Sequence, residues 1–429
     1  MQESVAVFLL IGLFAVMIIC HLPVTFAMVI ATATTMLYLN IPMMTMVQQM
    51  AKSVNSFSLL AIPFFILMGE IMGAGGISDR LLKFANVLVG RFRGGLAFVN
   101  VLASMFFGGI SGSAVADVSS LGKIEIPMME DAGYDKDFSI CVTVSSACQG
   151  LLIPPSHNMV LYAMTAGGVS VGRLFLAGYA PGILLGVALM VLCYIFAIKR
   201  NYPKGDPVSF KEALLITKDA VFAIGAMFII VGGVVAGLFT ATEAAAIGCI
   251  YCLLVATLVY HQLGFKDMGR ILYNTVKTLA MIYSLIAAAG AFAWMMAYLR
   301  IPAKFTGILM DVSDNKIVVL LLINVLLLLL GCIMDMAPLI LIMTPILLPV
   351  VQKFGMDPVQ FGIMLIANLA IGLLTPPVGS CLYAGCAVGG AKIEKVTKCM
   401  LPFYLTMVVV LLIITFIPAL SMTLPNLMM

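Results

Sequence analysis

One broken apolar span, present in two copies, constrains this chain more than any other feature. Gly150-Leu-Leu-Ile-Pro154-Pro155-Ser156-His157 returns at an offset of 222 residues as Gly372-Leu-Leu-Thr-Pro376-Pro377-Val378-Gly379. Paired prolines remove backbone donors and interrupt the helical ladder. In hydrocarbon each N–H or C=O left without a partner costs several kcal/mol, so such a break belongs only where protein or a polar cavity encloses it. The register extends beyond the prolines: Gly109 meets Gly331, Pro127 meets Pro349, Gly133 meets Gly355, Asp135 meets Asp357, and Gly167-Gly168 meet Gly389-Gly390. One gapless offset joins about 60 residues of each half, the mark of a duplicated structural unit.

Composition decides the solvent. The 429 residues are 63% hydrophobic and 10% charged, against roughly 25% charged in soluble domains, so the chain belongs in a bilayer. The first apolar segment, Val5 to Cys20, follows Glu3 rather than a basic run, and a second begins at once; this reads as a spanning helix, not a cleaved signal peptide. The net charge of +4 is spread singly and in short groups between apolar spans, a pattern that sets topology and gives no basis for nucleic-acid binding. Most of the ten cysteines, such as Cys148, Cys193, Cys249 and Cys252, fall within apolar spans, and only three histidines exist; Cys381 and Cys386 follow the second proline pair and read as small core residues or as neighbours of the transport path. The only metal expected is sodium, with no transition-metal site.

In chain order, apolar spans are expected at 4–20, 22–39, 56–76, 138–165 and 170–198, then at 220–239, 243–262, 273–298, 360–385 and 400–418. The segments 95–130 and 318–351 differ. Each has two arms too short to cross separately and a polar turn between them, near Gly109 to Ser113 in the first, which predicts a re-entrant helical hairpin. The fold class is therefore all-α: a polytopic membrane protein with two hairpins and two broken helices, 138–165 and 360–385. Residues 1–199 and 220–429 form the halves, and the polar stretch 200–219 reads as a cytoplasmic linker. Arg80, Lys83, Arg91 and Arg93, then Lys266, Arg270 and Lys277, and finally Lys392, Lys395 and Lys398 mark the inner face, so the two copies enter from opposite sides as inverted repeats.

Hairpin tips and broken helices bring unpaired backbone to mid-membrane. Helix N-termini there suit an anion and unwound carbonyls suit a cation. The sodium candidates are Gly109, Ser111, Gly112, Ser113 and Pro154 in the first copy, and Gly331, Asp335, Ala337, Thr375, Pro376 and Gly379 in the second. Ser156, His157, Asn158 and Arg300 are substrate candidates; His157 either meets substrate or donates to a carbonyl. The two copies are expected to share one ion and anion pocket, with Ser113 and Asp335 aligned on opposing tips. Pro155, Pro377, Thr242 and Glu243 are structural or coupling residues, and Glu243 either caps a helix or coordinates an ion. Glu70, Asp117, Glu243 and Asp335 are the acids in or near apolar spans, where such residues are functional or paired; Asp117 is expected toward the cytoplasmic mouth. No nucleotide loop is visible, and Ser156 beside His157 lacks the third group of a catalytic triad, so no enzyme is expected.

Gly-Gly-Ile-Ser-Gly-Ser-Ala-Val-Ala-Asp at 108–117, Ile-Pro-Pro-Ser at 153–156, Gly-Leu-Phe-Thr-Ala-Thr-Glu-Ala-Ala-Ala at 237–246 and Thr-Pro-Pro-Val-Gly at 375–379 resemble the large membrane subunit of TRAP transporters, the tripartite ATP-independent periplasmic transporters of bacteria. The resemblance covers essentially the whole chain, with Ala241 standing where the family usually has proline. It implies Na+-coupled uptake of an organic acid across the inner membrane, an elevator-like cycle, delivery by a periplasmic substrate-binding protein, and a small four-helix membrane subunit. The alternative is a stand-alone sodium/dicarboxylate carrier of a related ion-transporter fold.

Overall fold

A computed structural model describes residues 2–205 and 208–428, excluding the side chains of residues 2, 58, 109–111, 265 and 308–312. The first half contains α1 (Gln2–Ile19), α2 (Val24–Tyr38), α3 (Met43–Val54), α4 (Ala61–Ala74), α5 (Ile77–Val89), α6 (Gly95–Ser111), α7 (Ala114–Ser120), α8 (Gly122–Asp131), α9 (Lys136–Gly150), α10 (His157–Ala166) and α11 (Val171–Lys199). The second contains α12 (Phe210–Val235), α13 (Ala241–Leu254), α14 (Phe265–Tyr298), α15 (Ile301–Val312), α16 (Lys316–Gly331), α17 (Met336–Lys353), α18 (Pro358–Gly372), α19 (Ser380–Gly389), α20 (Ile393–Phe416) and α21 (Pro418–Met428). Among the described residues, strand-type pairing is limited to one bridge, Arg93 to Lys204.

The offset of 222 holds in three dimensions. It carries the end of α8 onto that of α17, both ends of α9 onto those of α18, and the start of α11 onto that of α20. Gly133 (φ 87°) and Gly355 (φ 73°) make the same left-handed turn before the crossing helices, a conformation open to glycine because it has no Cβ. Both proline pairs carry a cis peptide bond.

Among the described residues six helices are long and apolar enough to span a bilayer: α11, α12, α13 with its π-helical extension to Val259, α14, α17 and α20; α17 is thus longer than the arm expected for the hairpin 318–351. Burial separates their roles. In the most apolar part of α17 67% of residues are buried, against 22% in α12, so α17 is an interior helix and α12 a peripheral one.

Three expectations are corrected. The stretch 200–219 is not all linker: α12 begins at Phe210, where the Ser209 hydroxyl accepts from Glu212 N at 3.3 Å, because a serine cap starts the helix before its apolar run. The span expected at 273–298 starts at Phe265, with the Asp267 carboxylate accepting from Gly264 N. The span expected at 56–76 ends at Ala74, where α4 and α5 bend by 72° through left-handed Gly76 (φ 68°). Arg80 therefore stands on α5. Its guanidinium pairs with Asp219 at 2.9 Å and lies 3.6 Å from the centre of the Tyr260 ring, which ties α5 to α12.

The relative direction of the copies follows from two contacts between equivalent helices. Near the end of α11, Phe196 stacks on Phe403 in the first half of α20, with ring centres 6.1 Å apart and planes at 10°. Near the start of α11, Arg173 donates to Asn426 in α21, 3.0 Å away. The end of α11 thus meets the beginning of α20, so these equivalent helices are antiparallel and the copies are inverted. They also interlock. α10 packs on α17 and α18, and its counterpart α19 packs on α7, α8 and α9. Small residues permit the approach: a Cβ on Gly362 would stand 2.4 Å from the Tyr162 ring, and one on Gly385 2.3 Å from Val144. Close backbone approach of this kind drives helix association where lipid removes the usual hydrophobic force.

Candidate functional site

Each hairpin tip is held against the break in its own copy. In the first, α6 ends at Ser111, Gly112 turns left-handed (φ 62°), and extended Ser113 caps α7 by accepting from Ala116 N at 3.3 Å. A Cβ on Gly112 would lie 2.4 Å from His157 Nδ1, so both the turn and the contact require glycine. The Asn158 amide donates to the Gly112 carbonyl at 3.0 Å. Across the break, Leu151, Leu152 and Ile153 donate three residues back, to Cys148, Gln149 and Gly150, tightening the chain before the prolines. Ser156 is fully buried and, among the described residues, its hydroxyl has no hydrogen-bond partner, a polar atom inside protein that a ligand or water would satisfy.

The second copy repeats the latch with different chemistry. Asp335 occupies the position before α17, and the Ser380 hydroxyl donates to its Oδ1 at 2.8 Å. Ser380 is the counterpart of Asn158 under the offset. Val378 N also donates to the Cys332 carbonyl at 3.0 Å, Thr375 bonds back to Ile371, Gly379 is left-handed (φ 35°), and the Tyr404 hydroxyl donates to the Leu374 carbonyl. Pro154 and Pro155 are buried, whereas Pro376 is half-buried and Pro377 exposed. In both copies a glycine pair brings the hairpin arm onto the crossing helix: Gly108 against Gly150, and Gly331 against Gly372, with added Cβ atoms 2.6 to 3.1 Å from the facing Cα.

A cleft of about 590 Å³ opens beside the first tip, and Ser113 and His157 line it. Its other wall comes from α4 and α14, through Glu70 and Asn274, with Lys123 and Arg270 also on the lining. Asp335 is not on this lining, so this cleft takes its tip residues from the first copy.

The other expected residues fall as follows. Gly109 and Ser111 lie outside the described side chains, and Ala337 is half-buried in the first turn of α17. Thr242 is buried. Glu243 closes a capping box with Thr240, its carboxylate accepting from the Thr240 backbone and hydroxyl, each at 2.8 Å. Arg300 stands after α14 with φ 53° and does not line the cleft. Asp117 does not face an aqueous mouth; it is 1% exposed and Glu125 is fully buried, with Ser104 beside the Asp117 carboxyl and, among the described residues, no hydrogen-bond partner for the Glu125 carboxylate. Glu125 was not singled out from the sequence because Lys123, Glu130 and Asp131 surround it with surface charge. Its spacing from Asp117, about two helical turns, was the available signal. Asn274 and Lys123 carry no site signal in the sequence and Arg270 reads there only as an inner-face charge, since all three join Ser113 only through folding.

Residues 11–420 match the family described as Tripartite ATP-independent periplasmic transporter, DctM component. The uncharacterized protein YgiK of Salmonella typhimurium is 42% identical over 98% of this chain and 97% of its own length. The sialic acid TRAP transporter large permease protein SiaM of Vibrio cholerae is 39% identical over 89% of each chain. Among solved structures, the Alcanivorax borkumensis YdaH transporter superposes with a TM-score of 0.63 at 15% identity, covering 89% of this chain and 88% of its own; at that identity the likeness shows the fold alone.

Proposed function

The chain belongs to the DctM component family of tripartite ATP-independent periplasmic transporters and is a multi-pass protein of the bacterial inner membrane; from that premise we propose that it is the large permease subunit importing an organic acid by sodium coupling. A periplasmic substrate-binding protein delivers the acid, and a small four-helix membrane subunit completes the complex. The sialic acid named for the Vibrio cholerae relative supports a carboxylate substrate. The single observation carrying this reading is the duplicated latch, in which Asn158 and Ser380 hold the two hairpin tips against the two breaks.

At each latch a helix N-terminus and a set of neutral oxygens meet. The start of α10, whose backbone N–H at His157 stands beside Gly112, offers the positive end of a helix to the carboxylate. Carbonyls and hydroxyls around Gly112, Ser113 and Pro154, and around Gly331, Asp335, Ala337, Thr375, Pro376 and Gly379, provide hard oxygen donors for Na+. Ser156, His157 and Asn158 complete the substrate side. In the cycle the hairpins and broken helices travel together past the wall formed by α4 and α14, in an elevator-like movement, with Pro155 and Pro377 fixing the breaks.

The test is reconstitution of the three components in liposomes with an imposed sodium gradient. Uptake of a labelled organic acid that requires both inward sodium and the binding protein is expected. Uptake unchanged when choline replaces sodium would reject the coupling, and uptake without the binding protein would indicate a stand-alone carrier instead.

A further inference from the structure

Glu70 has no part in the latches, yet it faces the cleft. It stands on α4 and accepts from the Asn274 amide of α14 at 3.2 Å, and both residues line the same space as Ser113 and His157. A carboxylate has about four acceptor sites, and Asn274 fills one. The remaining acceptors of Glu70, together with the amide oxygen and second N–H of Asn274, form a compact group that can accept from and donate to neighbouring hydroxyls. Charge limits what else can bind there. Lys123 and Arg270 are the basic residues on the lining, and Arg270 is already paired with Asp267 at 3.3 Å. One carboxylate of a substrate can be met by Lys123 and the first tip. A second carboxylate reaching the α4–α14 wall at Asn274 would stand beside Glu70, which Asn274 holds there at 3.2 Å, while the charge of Arg270 on that wall is shared with Asp267; beside Glu70 like charges repel.

We propose that Glu70 and Asn274 form a hydroxyl-recognition subsite, and that the substrate is a polyhydroxylated monocarboxylic acid rather than an unsubstituted acid or a dicarboxylic acid. The proposal rests on the transport reading of the cleft and names its substrate class. A cleft of about 590 Å³ falls in the usual size range for organic ligands, with room for a hydroxylated chain lying between the tip and the far wall.

The full chain in lipid nanodiscs, titrated calorimetrically with three six-carbon acids, tests this. D-gluconate has hydroxyls and one carboxylate, hexanoate lacks the hydroxyls, and adipate replaces them with a second carboxylate. Gluconate is expected to bind at least about tenfold more tightly than either of the others, since polar groups left unpaired by the wrong ligand penalise it. Asn274→Leu should remove at least about tenfold of gluconate affinity. Glu70→Gln should raise adipate affinity by about tenfold, because the repelling charge is gone. Unchanged elution volume and unfolding midpoint establish that the variants are folded. Hexanoate or adipate binding as well as gluconate to the wild type, failure of all three to bind, or the same preference order and affinities in both variants would each overturn the subsite. Sodium-dependent uptake by the complete reconstituted system, measured in parallel, separates that result from failure of the transport reading itself.

Discussion

Asn158 and Ser380 hold equivalent positions, but they protect their tips unequally. Asn158 is 4% exposed and serves the Gly112 carbonyl; with Asn158→Leu that carbonyl loses a partner inside protein, an expected loss of about 1–3 kcal/mol. Ser380 serves an exposed carboxylate, Asp335, which water can satisfy, so Ser380→Ala should cost under about 1 kcal/mol. Unfolding midpoints in one detergent check the ranking, and the reverse order would show that the amide latch does not hold the first tip. A pH effect belongs to the surface. Asp135 accepts from the Tyr202 hydroxyl and from Arg200, each at 2.7 Å, and these contacts, the tyrosine first, hold its carboxyl below the ordinary carboxylate range. The group ionises more readily when folded, so its stabilising contribution is present above the unfolded value of about 3.9 and disappears as pH falls through the lower folded value. Its side chain is 60% exposed, and solvent screening limits the contribution to under about 1 kcal/mol. Asp135→Asn should therefore lower stability slightly at neutral pH and converge with the wild type in acid, as unfolding midpoints measured from neutral to acid pH would show.

Helix boundaries were legible where backbone chemistry marks them and obscure where packing decides. The proline pairs and Gly133 and Gly355 placed the ends of α8, α9, α17 and α18, because missing donors and left-handed turns leave signatures in residue type. The bend between α4 and α5 did not stand out: Gly75-Gly76 resembles a loop after a span, and only folding shows Arg80 reaching Asp219. Nor could the sequence pair α10 with α17 and α18, since a helix apolar all round gives no periodic face from which to choose a partner. The site was legible to the same extent. Ser113, Asn158 and the prolines lie in motifs, whereas Glu70 and Asn274 meet across 204 residues. The interlock makes its own prediction. Gly385→Leu places atoms where a Cβ already stands 2.3 Å from Val144, and such overpacking should cost about 1–3 kcal/mol or more. Gly232→Ala, whose Cβ meets nothing within 4 Å on α12, should be neutral or slightly stabilising through helix propensity, by under about 1 kcal/mol. Thermal unfolding of both in the same lipid environment checks the contrast.

Inversion is a property of the whole molecule, and it makes crosslinking outcomes discrete. If α11 and α20 are antiparallel, residues near the end of α11 neighbour the beginning of α20, as Phe196 and Phe403 do, and the start of α11 neighbours α21, as Arg173 and Asn426 do. In a variant without the ten native cysteines, Phe196→Cys with Phe403→Cys, and Arg173→Cys with Asn426→Cys, should each be joined by a short bismaleimide. Phe196→Cys with Asn426→Cys should not, because α11 runs 29 residues, over about 40 Å at 1.5 Å per residue, and separates its two ends. Parallel copies would reverse this pattern. Inversion also fixes sidedness: the turns at Gly133 and Gly355, equivalent in sequence, should lie on opposite faces of the membrane. A membrane-impermeant maleimide should modify Gly133→Cys in inside-out vesicles and Gly355→Cys in right-side-out spheroplasts. Modification of both from one side would require an axis along the membrane normal, and the antiparallel contacts of α11 with α20 and α21 would then have no place in the folded protein.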